Sequence, residues 1–140
     1  MVKAARYAIQ VIVVHALVSA LHGAAHARLD IPLSFAQNLF VVVVIMIAPL
    51  VAGALLWRKH YLSGAIIFFC SMAGALVFGV YNHFVASSPD HVSHVAVMAS
   101  GGWVIVFQVT AALVAIIEAF GCLIGVRMLK LYAGRSSPAA

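Results

Sequence analysis

Residues 34–57 read SFAQNLFVVVVIMIAPLVAGALLW, and this stretch contains no charged side chain. A helix that crosses the hydrocarbon layer of a membrane, about 30 Å thick, needs roughly 20 apolar residues. Three other apolar stretches meet this requirement, at 7–27, 61–85 and 95–126. The sequence therefore predicts four membrane-spanning helices, and we place the fourth crossing at 98–126.

The composition of the whole chain supports a membrane protein. Hydrophobic residues make up 66% of the chain and charged residues only 8%, whereas soluble proteins average about 25% charged residues. The connections between the apolar stretches are short, and short connections make successive helices antiparallel. We expect an all-α integral membrane protein, a single antiparallel four-helix transmembrane bundle with short loops over residues 1–132. Residues 133–140 have little apolar content and are expected to form a flexible tail.

The basic residues predict how the bundle is oriented. Seven of the eight Lys and Arg residues fall on one side of a four-span topology, and Arg28 alone falls on the other. Because cytoplasmic loops carry an excess of Lys and Arg, both termini are expected in the cytoplasm, most simply across a bacterial inner (plasma) membrane. The net charge of +5 is then explained by the basic residues of the cytoplasmic side, which also attract anionic head groups of the lipid bilayer. No nucleic-acid partner is expected.

A stripe of polar residues runs along the first apolar stretch. His15, Ser19, His22 and His26 follow one another at spacings of four, three and four, which places their side chains on one face of a helix. Ionisable residues are costly inside a membrane and usually face the interior of a helix bundle. The stripe therefore indicates the inward face of the first helix and a candidate functional site.

Three further histidines, His83, His91 and His94, fall near the outer membrane face with His22 and His26 in this topology, whereas His60 falls on the cytoplasmic side. Pairs spaced like His22 and His26, or like His91 and His94 in a helical turn, can chelate one ion. Imidazole with a carboxylate suits copper, zinc or iron. The sequence predicts an outer metal site, with a role in redox chemistry or metal handling, whose ligands are drawn from His22, His26, His83, Asp90, His91 and His94. The polar residues expected to support it are His15, Ser19, Asn38 and Glu118.

Two other functions fit the same residues. A b-type haem held by His22 and His83 would make the protein an electron carrier. The protein could instead be a non-catalytic accessory subunit or assembly factor of a larger membrane complex, with structural histidines. No nucleophile–base pair or nucleotide-binding motif is present, so enzymatic activity stays open, with a metal-dependent oxidoreductase as the form it would take.

A pair of glycines in the last span predicts close helix packing. Gly121 and Gly125 form a G-x-x-x-G pattern, which lets two helices approach closely in lipid. We expect this face to pack inside the bundle, and a homodimer or a contact with a larger membrane complex is the alternative. Glu118 lies on the same face, either as a protonated buried carboxyl group or paired with a base such as His60.

Overall fold

The computed structural model describes residues 3–99 and 101–133. Four of its helices are long and apolar enough to cross a membrane, and the described residues contain no strand. The helices are α1 (Lys3–Arg28), α2 (Phe35–Trp57), α3 (Tyr61–Val85), the short α4 (Val92–Met98) and α5 (Gly102–Ala133).

The outward faces of the long helices are apolar. Leu17 of α1 is 68% exposed and Val77 of α3 is 70% exposed, and many other large aliphatic side chains are similarly uncovered. A soluble protein of this size rarely exposes such a continuous apolar surface. The exposed surface is therefore compatible with an integral membrane protein.

Small residues bring the helices together at the end of the bundle where α1 begins. Ala5 and Ala8 of α1 are fully buried there, in a cluster with Leu56 of α2, Phe68 of α3 and Met128 of α5. Small side chains permit the close backbone approach on which helix packing in lipid depends. This cluster is almost entirely apolar, so the polar side chains concentrate elsewhere.

The opposite end of the bundle, where α1 and α3 end and α5 begins, is called the histidine end. A second buried cluster lies there, and it joins Ala25 of α1 to Val95 of α4 and to Val104 and Phe107 of α5. The short helix α4 thus covers part of this end. The polar stripe predicted on α1 points into the space between these elements.

Helix α2 begins with a reciprocal cap and then widens. The Ser34 hydroxyl accepts from the main-chain N–H of Gln37, and the Gln37 side chain accepts from the main-chain N–H of Ser34. Val41–Ile47 is π-helical, ahead of Pro49. In a regular α-helix a proline ring would clash with the carbonyl group four residues before it. A wider turn relieves this clash, and π turns in α-helices are frequent at functional sites.

The last apolar stretch forms two helices. Gly101 separates α4 from α5 with φ of +101°, a backbone conformation that favours glycine. The long helix α5 begins at Gly102 and continues beyond residue 126 to Ala133. The extension is stable because Met128 and Tyr132 remain buried while Lys130 faces outward. Of the predicted tail at 133–140, residues 134–140 lie outside the described part of the chain.

The glycine pair of α5 packs against α3. A Cβ atom at Gly121 would lie 2.8 Å from Met72 Sδ, and one at Gly125 would lie 3.1 Å from the Cα atom of Phe69. Both glycines are buried within the single chain. At both glycines, α5 is therefore closely packed against α3 within the chain.

Candidate metal centre

Three histidines from two helices meet at the histidine end. One ring nitrogen from each of His22, His26 and His83 lies within 4.8 Å of the others. His22 and His26 are one turn apart on α1, and His83 lies in the π-helical last turn of α3, Tyr81–Val85. Their rings pack around Phe107 of α5, which shields one side of the group from its surroundings. This trio is called the histidine cluster.

The hydrogen bonds of His22 indicate which of its nitrogens carries the proton. Its Nδ1 lies 2.9 Å from the Thr110 hydroxyl oxygen. That hydroxyl donates its single hydrogen to a main-chain carbonyl, since the oxygen lies 2.6 Å from the carbonyl oxygen of Val106. The Thr110 oxygen must therefore accept from His22 Nδ1–H. In neutral His22, the lone pair is then on Nε2.

Contacts with Asp90 indicate the same tautomer for His83. The Nδ1 atom of His83 lies 3.0 Å from the main-chain oxygen of Asp90 and 3.2 Å from its Oδ1. Both oxygens present only lone pairs, so Nδ1 carries a proton. Neutral His83 therefore has its lone pair on Nε2 as well.

The two lone-pair nitrogens face each other. His22 Nε2 and His83 Nε2 are 3.2 Å apart. Two lone pairs at this distance repel unless a cation, either a metal ion or an additional proton, lies between them. The histidine cluster therefore has the arrangement of two imidazoles that converge on one positive charge.

His26 adds a further nitrogen that lacks a partner. Its Nε2 lies 3.1 Å from Asp90 Oδ1, and the negative charge of the carboxylate favours a proton on this nitrogen. The Nδ1 atom is buried and has no hydrogen-bond partner within residues 3–99 and 101–133. A buried polar atom without a partner is costly, and its lone pair is available to a ligand.

Asp90 is a buried carboxylate beside two of these histidines. Its side chain is 3% exposed and lies between α3 and α4, outside the spanning helices. Burial opposes its ionisation, but the imidazole N–H groups of His26 and His83 stabilise the charged form more strongly, and they lower the pKa of Asp90 to about 2. Oδ1 is close to both rings without the alignment of a hydrogen bond. Asp90 therefore carries a negative charge at neutral pH, next to the rings of His26 and His83.

His15 and Glu118 form a deeper polar pair. His15 Nε2 lies 3.0 Å from Glu118 Oε1, both side chains are buried, and the Ser19 hydroxyl oxygen is 3.4 Å from the same nitrogen. Glu118 therefore pairs with the stripe on α1, and the suggested pairing with His60 is wrong. His60 is too distant in the fold, because it precedes α3 at the other end of the bundle.

The remaining predicted residues take different positions. His91 and His94 are not part of the histidine cluster and line a separate shallow depression with Ser93. His91 caps α4, since its Nδ1 accepts from the main-chain N–H of Ser93. Asn38 lines the cavity beside the cluster, and its amide group donates to the carbonyl oxygens of Leu33 and Ser34.

Two residues that shape the site were not predicted from the sequence. Thr110 orients His22, and Phe107 packs against all three rings of the cluster. A threonine in a helix commonly bonds to a carbonyl of the preceding turn, so its position alone gave no functional signal. The chain matches no known protein family, and neither characterised proteins nor solved structures include one with significant similarity to it.

Proposed function

We propose that this protein is a small integral membrane protein that binds one transition-metal ion through His22, His26 and His83. The observation that carries the proposal is the 3.2 Å approach of two imidazole nitrogens whose other ring nitrogens are both committed as donors. His26 contributes a third ring nitrogen within 4.8 Å of the others, and its Nδ1 has no hydrogen-bond partner in the described part of the chain. Asp90 orients two of the rings, as carboxylates commonly do behind metal-bound histidines.

The spacing of the nitrogens suits a metal ion. Two imidazoles on one zinc ion, with bonds of 2.0–2.1 Å and a tetrahedral angle, hold their nitrogens about 3.3–3.4 Å apart. The observed separation of 3.2 Å needs only a small adjustment. Three neutral imidazoles fit zinc, copper(II) or iron, and they leave a coordination position for a further ligand. Such a site serves metal handling or redox chemistry.

The same distance argues against the haem alternative. Two axial histidines bind on opposite faces of the porphyrin, so their nitrogens are separated by two metal–nitrogen bonds, about 4 Å in all. His22 Nε2 and His83 Nε2 are closer than this and contact each other directly. A porphyrin between them would require the ends of α1 and α3 to move apart.

We also propose an orientation for the bundle. An antiparallel arrangement with both termini in the cytoplasm places Lys3, Arg58 and Lys130 on the basic inner side of a bacterial plasma membrane. The histidine cluster then lies close to the outer face, where it can exchange metal with the extracytoplasmic space. Cysteine labelling from outside intact cells, at Ser88 and separately at Lys59, tests this, because only Ser88→Cys should react.

Elemental analysis together with a visible spectrum tests the metal site directly. Protein purified in detergent without chelators should carry close to one transition-metal ion per chain and should show no Soret band. A Soret band would favour haem. A colourless protein that also takes up no zinc or copper at micromolar concentrations would show that a shared proton, and not a metal, joins the two facing nitrogens.

The role of Asp90 can be tested by a conservative change. Asp90→Asn keeps the size of the side chain but removes the charge behind His26 and His83. Because residues that orient metal-bound histidines typically contribute 10- to 100-fold to affinity, we expect the dissociation constant for zinc to rise by about that factor. Competition with a chromophoric chelator measures the change. An unchanged constant would mean that Asp90 only stabilises the fold.

A further inference from the structure

A cavity separates the second half of α1 from the first half of α2. These two helices pack together at the other end of the bundle, where a Cβ atom at Gly53 would lie 3.4 Å from Ile12. Towards the histidine end they diverge around the cavity, whose α2 wall includes Val41, Ile45 and Met46 of the π-helical turn. Most of its lining is apolar, so the cavity suits an apolar molecule.

Exposed residues of both helices line the cavity. They include Gly23 and Ala27 on α1 and Met46 on α2. Both helices are candidate membrane spans, so an opening between them faces the interior of the bilayer. A molecule dissolved in the membrane can therefore reach the cavity without passing through water.

The cavity is lined by Glu118 as well as by His22, His26, His83 and Asp90 of the candidate metal centre, and Glu118 is the acidic residue of its wall that lies outside that centre and within a membrane-spanning helix. The Glu118 side chain is 4% exposed, and its Oε1 is bonded to His15. Its other oxygen, Oε2, lies 3.8 Å from where a Cβ atom of Gly79 would be, and Glu118 lines the cavity. Oε2 can accept a hydrogen bond, which a donor bound in the cavity would supply.

The position of the proton in the His15–Glu118 pair does not change the ability of Glu118 Oε2 to accept a hydrogen bond. In the ionic form Glu118 carries no proton, and in the neutral form the proton lies between Oε1 and His15 Nε2, which are 3.0 Å apart. In both forms Oε2 accepts a hydrogen bond, and the pair has no net charge. The complementary head group is thus an uncharged donor, such as a hydroxyl group, and a carboxylate would be repelled.

From these features we infer that the cavity between α1 and α2 binds a membrane-dissolved amphiphile whose hydroxyl group donates to Glu118 Oε2. The apolar body of the amphiphile lies along Val41, Ile45 and Met46. The inference goes beyond the metal site, because Glu118 is not a metal ligand. A long-chain alcohol and a phenol or hydroquinone with a hydrocarbon tail share the necessary chemistry.

Photolabelling can test this inference in lipid nanodiscs, with the protein kept in chelator so that the metal plays no part. Three probes are compared, each with the same diazirine-bearing hydrocarbon chain and with an alcohol, a phenol or a carboxylic acid as its head. We expect the alcohol, the phenol or both to label the segment 41–46 in a saturable manner. Stronger labelling by the alcohol or by the phenol shows which of these two head groups the natural ligand carries. The acid should label only the outward faces of the helices.

Three variants sharpen the test. Glu118→Gln can still accept from His15 but presents an N–H group to the cavity, so saturable labelling should fall by about tenfold or more. Gly23→Leu fills the mouth of the cavity and should abolish labelling. Gly102→Leu is its matched control, because an added Cβ atom meets nothing within 4 Å at either glycine and Gly102 lies outside the cavity.

The inference is overturned if the acid labels 41–46 as well as the hydroxyl probes do, or if Glu118→Gln labels like the unmodified protein. Labelling that does not saturate, or that survives Gly23→Leu, would show contact with ordinary lipid only. The labelling is done in chelator, so it does not test the proposed metal site, although His22, His26 and His83 line the same cavity. Metal content is measured in a separate experiment, so failure of one proposal can be told from failure of the other.

Discussion

His22→Ala is expected to lose stoichiometric metal, with the dissociation constant for zinc raised by more than about 100-fold. The change removes one of the two nitrogens that face each other at 3.2 Å, and its effect should exceed the 10- to 100-fold typical of a residue that only supports a ligand. His83→Ala should behave similarly, although it also takes a partner from Asp90. Metal content after purification and chelator competition measure both.

His94→Ala is the matched control for these variants. His94 is exposed and lies outside the histidine cluster. The substitution also removes an imidazole side chain from the same end of the bundle. It should retain metal at the level of the unmodified protein. If His94→Ala lost metal as completely as His22→Ala, the three-histidine assignment would be wrong and a more dispersed surface site would be favoured.

Gly125→Val should destabilise the bundle by about 3 kcal/mol. The first added carbon would already lie 2.9 Å from Phe69 Cβ and 3.1 Å from its Cα, so α5 must move away from α3. Overpacking of this kind typically costs 1–3 kcal/mol, and the contact here is with backbone, which cannot rotate aside. Unfolding in mixed micelles, followed by circular dichroism, measures the free energy of unfolding.

Gly23→Val controls for the helix propensity of valine. Gly23 is also inside a long helix, but a Cβ atom there meets nothing within 4 Å. Its free energy of unfolding should change by less than about 1 kcal/mol, the range of helix propensities. Equal destabilisation by both variants would mean that α3 and α5 are not closely packed at Gly125.

Much of the fold could be predicted because apolar length and helical period are local properties. Four apolar stretches gave four long helices, and the spacing of His15, Ser19, His22 and His26 identified the inward face of α1. Helix ends were less predictable, since burial of Met128 and Tyr132 extends α5 beyond the apolar stretch. The π turn at Val41–Ile47 depends on how the backbone accommodates Pro49, which hydropathy does not report.

The site was harder to predict because depth in the membrane does not determine which side chains meet. His91 and His94 were placed at the same level as His83, but α4 directs them to a separate surface. Asp90 was a candidate ligand, and in the structure its Oδ1 lies 3.1 Å from His26 Nε2 and 3.2 Å from His83 Nδ1. Thr110 and Phe107 come from α5, which carried no histidine to draw attention to it.

The histidine cluster is divided between α1 and α3, so the proposed metal binding would be coupled to assembly of the bundle. His22 and His83 are far apart in sequence, and an ion held by both would link two separate helices. A ligand that binds only the assembled state stabilises it by RT ln(1 + [L]/Kd), about 2.7 kcal/mol when free metal is 100 times the dissociation constant. The supply of metal would then set how much of the protein survives quality control in the membrane, and its abundance would report metal availability.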